Sequence, residues 1–206
     1  KSTLADLLET DANTAKGTVV VDRYLVGQSG QRRPDVRVQY AGRNVAFEIQ
    51  LATTQIPIID ARETFYQREG YFLLWLTWNF DPVPRDRMLT AFEDIFYSHN
   101  QNIFSIDEDT IRSSRDSGQL SLRVFWLQDG NWCSKIASLN ELHWPPSGLP
   151  YAVAPPRPWH EDFLSRWRTA TTEIGTQWPQ RGELLDELAQ KVGLKEIGAY
   201  QLQDAD

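Results

Sequence analysis

An almost uninterrupted apolar run extends from Tyr71 to Trp78. A strand of this composition has no polar face to turn toward water, so it must lie within a sheet that is covered on both sides, as in α/β proteins. The preceding segment carries apolar residues at helical spacing, among them Ile58, Ile59, Phe65 and Tyr66, and ends near Gly70. Because a helix between two parallel strands crosses over in a right-handed sense, the apolar run is predicted to return to the sheet of the preceding strands.

The residues before that helix supply the other strands of the predicted sheet. Leu4, Leu7 and Leu8 recur at helical spacing and predict a short helix from Ser2 to Asp11. Segments rich in β-forming residues follow at Thr18–Val26, Asp35–Tyr40 and Val45–Leu51, and the last two are joined by a tight turn at 41–44. Thr53 and Thr54 are N-cap candidates for the next helix. The order helix, three-strand meander, crossover helix and parallel strand predicts a mixed α/β sheet.

The remainder of the chain is predicted to add further elements to this domain and then to form a linker and a separate helical segment. Beyond the apolar run, the pattern predicts a helix at Arg87–Tyr97, a strand at Ile103–Ile106, and a hairpin of Leu120–Leu127 with Trp132–Ile136 around Asp129-Gly130. Residues 145–158 contain six prolines and are predicted to be a linker. We therefore divide the chain into an α/β domain at 1–144, a proline-rich linker at 145–158 and a helical segment at 159–206. The two helices predicted in the C-terminal segment, Glu161–Ile174 and Gly182–Val192, offer a surface for a protein partner.

The composition favours a cytoplasmic protein and narrows the classes of function. A single cysteine, Cys133, excludes an internal disulfide and a cysteine-based zinc cluster within these residues, which fits a reducing compartment. No run reaches the roughly 18 apolar residues that a membrane-spanning helix needs, so no membrane partner is expected. The net charge of -7 is unfavourable for binding nucleic acid. Five arginines nevertheless cluster in one stretch that contains few acids, at Arg23, Arg32, Arg33, Arg37 and Arg43.

Two carboxylates are predicted to meet at one edge of the sheet. Asp35 opens one strand, and Glu48 lies on the next strand across a short hairpin. Two close carboxylates repel each other unless a cation neutralises them, and oxygen ligands of this kind suit Mg²⁺ or Mn²⁺. Gln50 projects from the same strand face as Glu48, and the carbonyl group of Ile49 between them is a further candidate ligand. Asp35 could instead cap a turn, whereas an unpaired Glu48 inside a buried strand would be costly.

The sequence around these residues resembles the PD-(D/E)XK nuclease superfamily, and most closely the nucleases similar to the competence protein CoiA. The matching motifs are VVVDRYL at 19–25 with Asp22, RRPDV at 32–36 with Asp35, AFEIQ at 46–50 with Glu48 and Gln50, Arg62 with Tyr66, and LLWL at 73–76. The resemblance covers roughly residues 1–80. It implies a mixed sheet of restriction-endonuclease-like topology, with a helical appendage at the C-terminus.

The resemblance also implies a metal-dependent DNA endonuclease that acts in competence, DNA processing or phage defence. Asp22, Asp35 and Glu48 would be its catalytic acids. A Mg²⁺ or Mn²⁺ ion bound by Asp35, Glu48 and Ile49 would activate the attacking water. Gln50 stands where the superfamily consensus has a lysine, so it would orient the water without supplying a basic nitrogen. The alternative is a nuclease-like module that has lost catalysis and binds nucleic acid or protein, which Gln50 and the acidic net charge favour. Asp22 could equally be an ordinary acid at a strand end.

Arginine and tyrosine side chains are the candidates for contact with DNA. Arg32 and Arg33 precede Asp35, so the metal end of the sheet would be locally positive, as a scissile phosphate requires. Arg62 and Tyr66 lie one turn apart on the predicted helix and face the same way. They are candidates for contact with phosphate and equally for holding a carboxylate. Arg32 and Arg33 could otherwise solvate a turn.

Overall fold

A computed structural model of the chain describes residues 1–51, 56–82 and 90–154. The helices of this part are α1 (Ser2–Thr10), α2 (Ile56–Arg68), α3 (Thr90–Ser98) and α4 (Glu108–Ser117), followed by a short 3-10 helix at Leu139–Glu141. The strands are β1 (Val20–Val21), β2 (Leu25–Gly27), β3 (Gly30–Arg32), β4 (Val36–Tyr40), β5 (Arg43–Ile49), β6 (Tyr71–Trp78), β7 (Ile103–Ile106), β8 (Ser121–Gln128) and β9 (Asn131–Ser138).

Seven of these strands form one mixed sheet in the order β1-β4-β5-β6-β7-β8-β9. The three central strands, β5, β6 and β7, run parallel to one another. On either side of them, β1-β4-β5 and β7-β8-β9 are antiparallel. The predicted crossover helix and parallel strand are therefore confirmed, β6 has the predicted bounds, and the strands before α2 that join this sheet are β1, β4 and β5. The chain has a mixed α/β fold.

Helices cover the sheet on both faces, as the apolar run in β6 predicts. Leu74 and Leu76 point to the face where α1 packs its leucines, whereas Leu73 and Trp75 point to the face covered by α2. All four side chains are almost completely buried. Burial of one such side chain stabilises the fold by about 1.5–3 kcal/mol. The central strand therefore anchors the helices of both layers.

The segment predicted as one strand at Thr18–Val26 is divided in the structure, which corrects that prediction. Asp22 has a φ of 51°, in the left-handed region that Asp tolerates better than most residues, and this turn ends β1. Next, β2 and β3 form a separate two-stranded hairpin. The Glu69 carboxylate, which follows α2, accepts a hydrogen bond from the Ser29 N–H group at 2.9 Å and so tethers the hairpin. Gly27 permits this approach, because a Cβ atom there would lie 2.1 Å from Glu69 Cδ.

Helix α4 is an element that the sequence pattern did not predict. At its N-terminus, the Asp107 side chain accepts from the Thr110 N–H group at 2.8 Å, and Thr110 Oγ1 accepts from the Asp107 N–H group at 2.9 Å. This reciprocal pair is a capping box. The helix ends at Gly118, whose φ of 66° suits glycine. Its buried residues are Thr110 and Ser114, so apolar periodicity did not reveal it.

The other predicted elements after β6 agree with the structure where it describes them. The strand β7 has the predicted bounds, and β8 and β9 form the predicted hairpin. In the turn between them, Asp129 and Gly130 have φ angles of 51° and 77°. Two successive positive φ angles match the twist of a tight hairpin. The helix predicted at Arg87–Tyr97 is α3, observed from Thr90 to Ser98.

The chain divides into two units, Lys1–Ala154 and Pro155–Asp206, and the structure describes the first. Residues 145–154, the first part of the predicted linker, belong to this unit. The Leu73 N–H group donates to the Gly148 carbonyl oxygen at 2.8 Å, which fixes the segment beside β6. The helices predicted at 161–174 and 182–192, and the N-cap candidates Thr53 and Thr54, lie outside the described residues.

Candidate active site

The edge of the sheet where β5 ends carries the predicted carboxylates. Asp35 directly precedes β4, and Glu48 lies next to the last residue of β5. Because Val36 pairs with Phe47 across the antiparallel β4–β5 ladder, Asp35 and Glu48 lie at the same edge. The Ile49 N–H group donates a hydrogen bond to Asp35 Oδ2 at 2.7 Å. The structure therefore joins Asp35 to the Ile49 N–H group and places Glu48 at the same edge, whereas the role of the Ile49 carbonyl group as a metal ligand stays a prediction.

Glu48 is a buried carboxylate whose two oxygens each have a partner. Only 3% of the residue is exposed. Tyr66 donates its hydroxyl to Oε1 at 2.7 Å, and Arg62 donates to Oε2 at 2.8 Å. Burial raises the pKa of Glu48, and the Tyr66 hydrogen bond and the Arg62 charge oppose that rise. Of the two roles that the sequence left open for Arg62 and Tyr66, the structure places them as partners of a carboxylate.

Lys1 supplies a cation between the other two acids. Its Nζ atom lies 2.8 Å from Asp22 Oδ1 and 2.6 Å from Asp35 Oδ1. These hydrogen bonds raise the pKa of Lys1, and the bond from Lys1 lowers the pKa of Asp22. We call Asp22, Asp35 and Glu48 the acidic edge. Each of its members therefore contacts a basic side chain.

Lys1 was not among the site residues predicted from the sequence. A positive charge near these acids could nevertheless be expected from the sequence, because two close carboxylates need a cation and Gln50 supplies none. The position of Lys1 follows from α1, whose buried leucines pack against the sheet and direct the start of the helix to the acidic edge. That placement arises from tertiary packing, which the spacing of residues in the sequence does not encode.

The structure places the other predicted site residues, Gln50, Arg32 and Arg33, in three different surroundings. β5 ends at Ile49 rather than at Leu51, so Gln50 lies just beyond the strand, and its N–H group donates to the Leu76 carbonyl oxygen at 2.7 Å. Arg33 lies 3.4 Å from Asp22 Oδ1, which brings it to the acidic edge. The guanidinium of Arg32 instead lies over the ring of Phe65, 5.6 Å from its centroid.

The donor set at the acidic edge suits a cation, although it does not form a complete protein shell. Within residues 1–51, 56–82 and 90–154, no group of three or more His, Cys, Asp or Glu side chains is arranged to hold a metal ion. Asp22 and Asp35 do converge on one cation, Lys1 Nζ, at 2.8 and 2.6 Å. The Glu48 carboxylate has about four acceptor positions, of which Tyr66 and Arg62 use two. Asp22, Asp35 and the remaining acceptor positions of Glu48 are the groups of this edge that could hold a divalent ion, which would then keep several of its water ligands.

Fold and site together define a mixed α/β protein with three carboxylates at one edge of its sheet, two of which are paired with Lys1. A family model described as "Domain of unknown function (DUF6035)" matches residues 1–143, and the chain belongs to this family. The match includes the whole acidic edge. No curated protein and no solved structure matches the chain. In the part of the chain that the structure describes, every helix is too short or too polar to cross a membrane.

Proposed function

We propose that this protein is a metal-dependent nuclease of the PD-(D/E)XK type that hydrolyses phosphodiester bonds in DNA. The observation that carries the proposal is the convergence of Asp22 and Asp35 on one cation, beside the buried carboxylate of Glu48. Three acids at one sheet edge would be unfavourable without nearby positive charge. A nuclease provides a reason for that arrangement, because the same edge must receive a metal ion and a phosphate.

The topology supports the same assignment. An antiparallel meander leads through a crossover helix to a parallel strand. The meander supplies the acids, and this helix supplies the two partners of Glu48. We therefore propose that the mixed sheet has restriction-endonuclease-like topology, as the sequence resemblance implies.

Each residue of the acidic edge has a role in this proposal. Asp22 and Asp35 would hold Mg²⁺ or Mn²⁺ in place of the Lys1 ammonium, with Glu48 and the carbonyl group of Ile49 as further ligands. A bound divalent ion would lower the pKa of a water molecule and neutralise charge on the phosphate. Tyr66 and Arg62 would hold Glu48 in its orientation.

In this proposal, Gln50 and Lys1 together replace the lysine of the superfamily consensus: Gln50 would orient the water, and Lys1 would supply the positive charge. The Gln50 amide would orient the attacking water by hydrogen bonding, but it has no charge and no basic nitrogen. Displaced by the ion from Asp22 and Asp35, the Lys1 ammonium would remain near this edge on its flexible side chain. It would provide the positive charge near the phosphate that Gln50 lacks.

A second candidate function is a module that has lost catalysis and binds nucleic acid or a protein partner. The favouring observation is that Lys1 neutralises Asp22 and Asp35 while Arg62 and Tyr66 satisfy Glu48. The acidic edge is thus already paired within the chain itself. Such a module would need no metal ion.

Cleavage of plasmid and linear DNA in the presence of Mg²⁺ or Mn²⁺ tests the nuclease directly. We expect wild type to cleave and Glu48→Gln to lose activity. The matched control is Glu63→Gln, which alters another carboxylate whose pKa is raised by burial, but one that is bonded to Trp75 and Ser98. If Glu48→Gln cleaves as fast as wild type, the activity does not come from the acidic edge.

Calorimetric titration with Mn²⁺ separates the enzyme from the module. The enzyme predicts binding that is lost in Asp35→Asn. It also predicts tighter binding in Lys1→Met, because the ammonium no longer competes with the ion for the same two carboxylates. Absence of Mn²⁺ binding by both wild type and Lys1→Met would favour the module.

A further inference from the structure

A cavity beside the acidic edge is not used by the proposed metal chemistry. It has a volume of about 470 Å³ and lies on the sheet face that carries α1 and α4. Its lining includes Thr3 from α1, Trp78 from β6, and residues of α4. We call it the Trp78 cavity.

Trp78 provides an accessible aromatic surface in this cavity. The five residues before it in β6, Leu73–Thr77, are buried, whereas 49% of Trp78 is exposed. An exposed indole at the end of a buried strand loses much of the stabilisation that burial would provide. Aromatic rings exposed in this way are the platforms on which single-stranded nucleic acids stack their bases.

The polar residues of the cavity complement a nucleotide rather than a simple anion. Arg112 and Arg115 lie three residues apart on α4, and both are exposed. Arg112 contacts Asp109 at 3.4 Å, but an exposed ion pair of this kind contributes little and can be exchanged for a phosphate. Glu108 and Asp116 line the same cavity and can accept hydrogen bonds from the amino groups of a base. The lining thus combines a stacking surface, phosphate contacts and acceptors, with balanced charge.

Two short paths of the chain connect the Trp78 cavity to the acidic edge. Thr3 lies two residues after Lys1, so their Cα atoms are at most about 7 Å apart. The side chain of Lys1 in turn contacts Asp35 through its Nζ atom. In the sheet, Leu76 pairs with Ile49, whose N–H group binds Asp35, and Trp78 follows two residues later, about 7 Å further along β6. Glu48 pairs with Trp75 and points to the α2 face, whereas Trp78 lies on the face of α1 and α4. A strand whose phosphate lies at the acidic edge would therefore reach the cavity by passing over the ends of β5 and β6.

We infer that the Trp78 cavity binds an unpaired base of single-stranded DNA, with the base stacked on Trp78 and the backbone phosphates on Arg112 and Arg115. The cavity as a binding site stands on its own geometry, whereas its use for the strand being cleaved rests on the proposed nuclease function. Stacking requires an unpaired base, because both faces of a base within a duplex are already covered by its neighbours. The preferred substrate is thus a single strand or a duplex end.

Fluorescence anisotropy with a labelled single-stranded oligonucleotide, in the presence of EDTA, tests the inference on the full chain. We expect Trp78→Ala to weaken binding by about 5- to 140-fold, the range for loss of one stacked base. Trp78→Phe should retain part of the affinity. Tyr97→Ala is the matched control, because Tyr97 on α3 is also 49% exposed and should leave affinity unchanged. The double variant Arg112→Ala with Arg115→Ala should reduce the salt slope by up to about 1.4, at roughly 0.7 per phosphate of single-stranded DNA.

The possible results separate this inference from the nuclease proposal. The inference is overturned if wild type does not bind the oligonucleotide, if Trp78→Ala binds as wild type does, or if Tyr97→Ala weakens binding equally. Because the assay contains EDTA, it gives the same answer whether or not the protein cleaves DNA. Loss of affinity in Trp78→Ala together with no cleavage by wild type would support the cavity and reject the nuclease.

Discussion

Replacement of Tyr66 by Phe isolates one hydrogen bond to the buried carboxylate of the acidic edge. The Tyr66 hydroxyl donates to Glu48 Oε1 at 2.7 Å, and both residues are buried. Phe keeps the ring and its edge contacts with Phe65 and Tyr71, so little packing is lost. A hydrogen bond to a charged group contributes about 1.5–3 kcal/mol. We expect Tyr66→Phe to lower the free energy of unfolding by that amount at neutral pH.

The loss should depend on pH in a defined direction. Burial raises the pKa of Glu48 above its ordinary value of 4.5. A group whose folded pKa is raised contributes stability below its unfolded pKa and loses that contribution as the pH rises through the folded pKa. Removal of the Tyr66 hydroxyl raises the folded pKa further. The defect should therefore be largest at neutral pH and smaller below the unfolded pKa, where a hydrogen bond to neutral Glu48 is worth about 0.5–1.5 kcal/mol.

Urea denaturation in EDTA, from neutral to mildly acidic pH, measures both quantities. The matched control is Tyr71→Phe, because the Tyr71 hydroxyl is paired with Arg37 at 3.4 Å. We expect the control to lose less stability than Tyr66→Phe at neutral pH. Equal losses in the two variants, or a Tyr66→Phe loss that does not change with pH, would refute an ionised Glu48 held by this hydroxyl.

Other predictions concern the arginines, the helix cap and the hairpin. The double variant Arg32→Ala with Arg33→Ala should flatten the salt dependence of duplex DNA binding by up to about 1.8 in slope, at roughly 0.9 per phosphate; an unaltered slope would show that DNA approaches from elsewhere. Asp107→Ala should lower the free energy of unfolding by about 1–2 kcal/mol through loss of the α4 cap together with its ion pair to Arg123. Asp109→Ala also removes a contact with Arg123 but no cap, so it should change that free energy by less than about 0.5 kcal/mol; equal effects would argue against the cap. Glu69→Gln should speed amide hydrogen exchange in the β2–β3 hairpin and leave β6 unchanged. Hydrogen bonds from the Ser29 backbone lower the pKa of Glu69, so in wild type this tether is present above about pH 4.5 and should be lost as the pH falls through the lowered folded pKa.

The sequence predicted those features that depend on local pattern and on pairing between neighbouring strands. β6 could be predicted because it is apolar on both faces, and Asp35 could be placed beside Glu48 because a short hairpin joins their strands. The pairing of Arg62 and Tyr66 with a carboxylate was one of two roles left open. Helical spacing puts them on one face, but it does not say what that face contacts.

The features that the sequence analysis missed arise from backbone geometry or from packing between distant segments. The positive φ of Asp22 ends β1 early, and a single Asp in a β-rich segment gives little sign of such a turn. Helix α4 is held by its cap and by buried Thr110 and Ser114, so it lacks the apolar row on which the prediction depends. Lys1 reaches Asp35 only because α1 packs against the sheet.

The arrangement of strands also has a consequence for the order of folding. The β4–β5 and β8–β9 hairpins close short loops, so they can form early, whereas the parallel pairs β5–β6 and β6–β7 must wait for the segments between them. Glu48 lies in the early β4–β5 hairpin, but its partners Arg62 and Tyr66 lie in the crossover between β5 and β6. Its carboxylate therefore stays hydrated until the helix that carries its partners docks. We therefore expect desolvation and pairing of Glu48 to occur in the same step, so that folding does not pass through a state with an unpaired buried charge at this position.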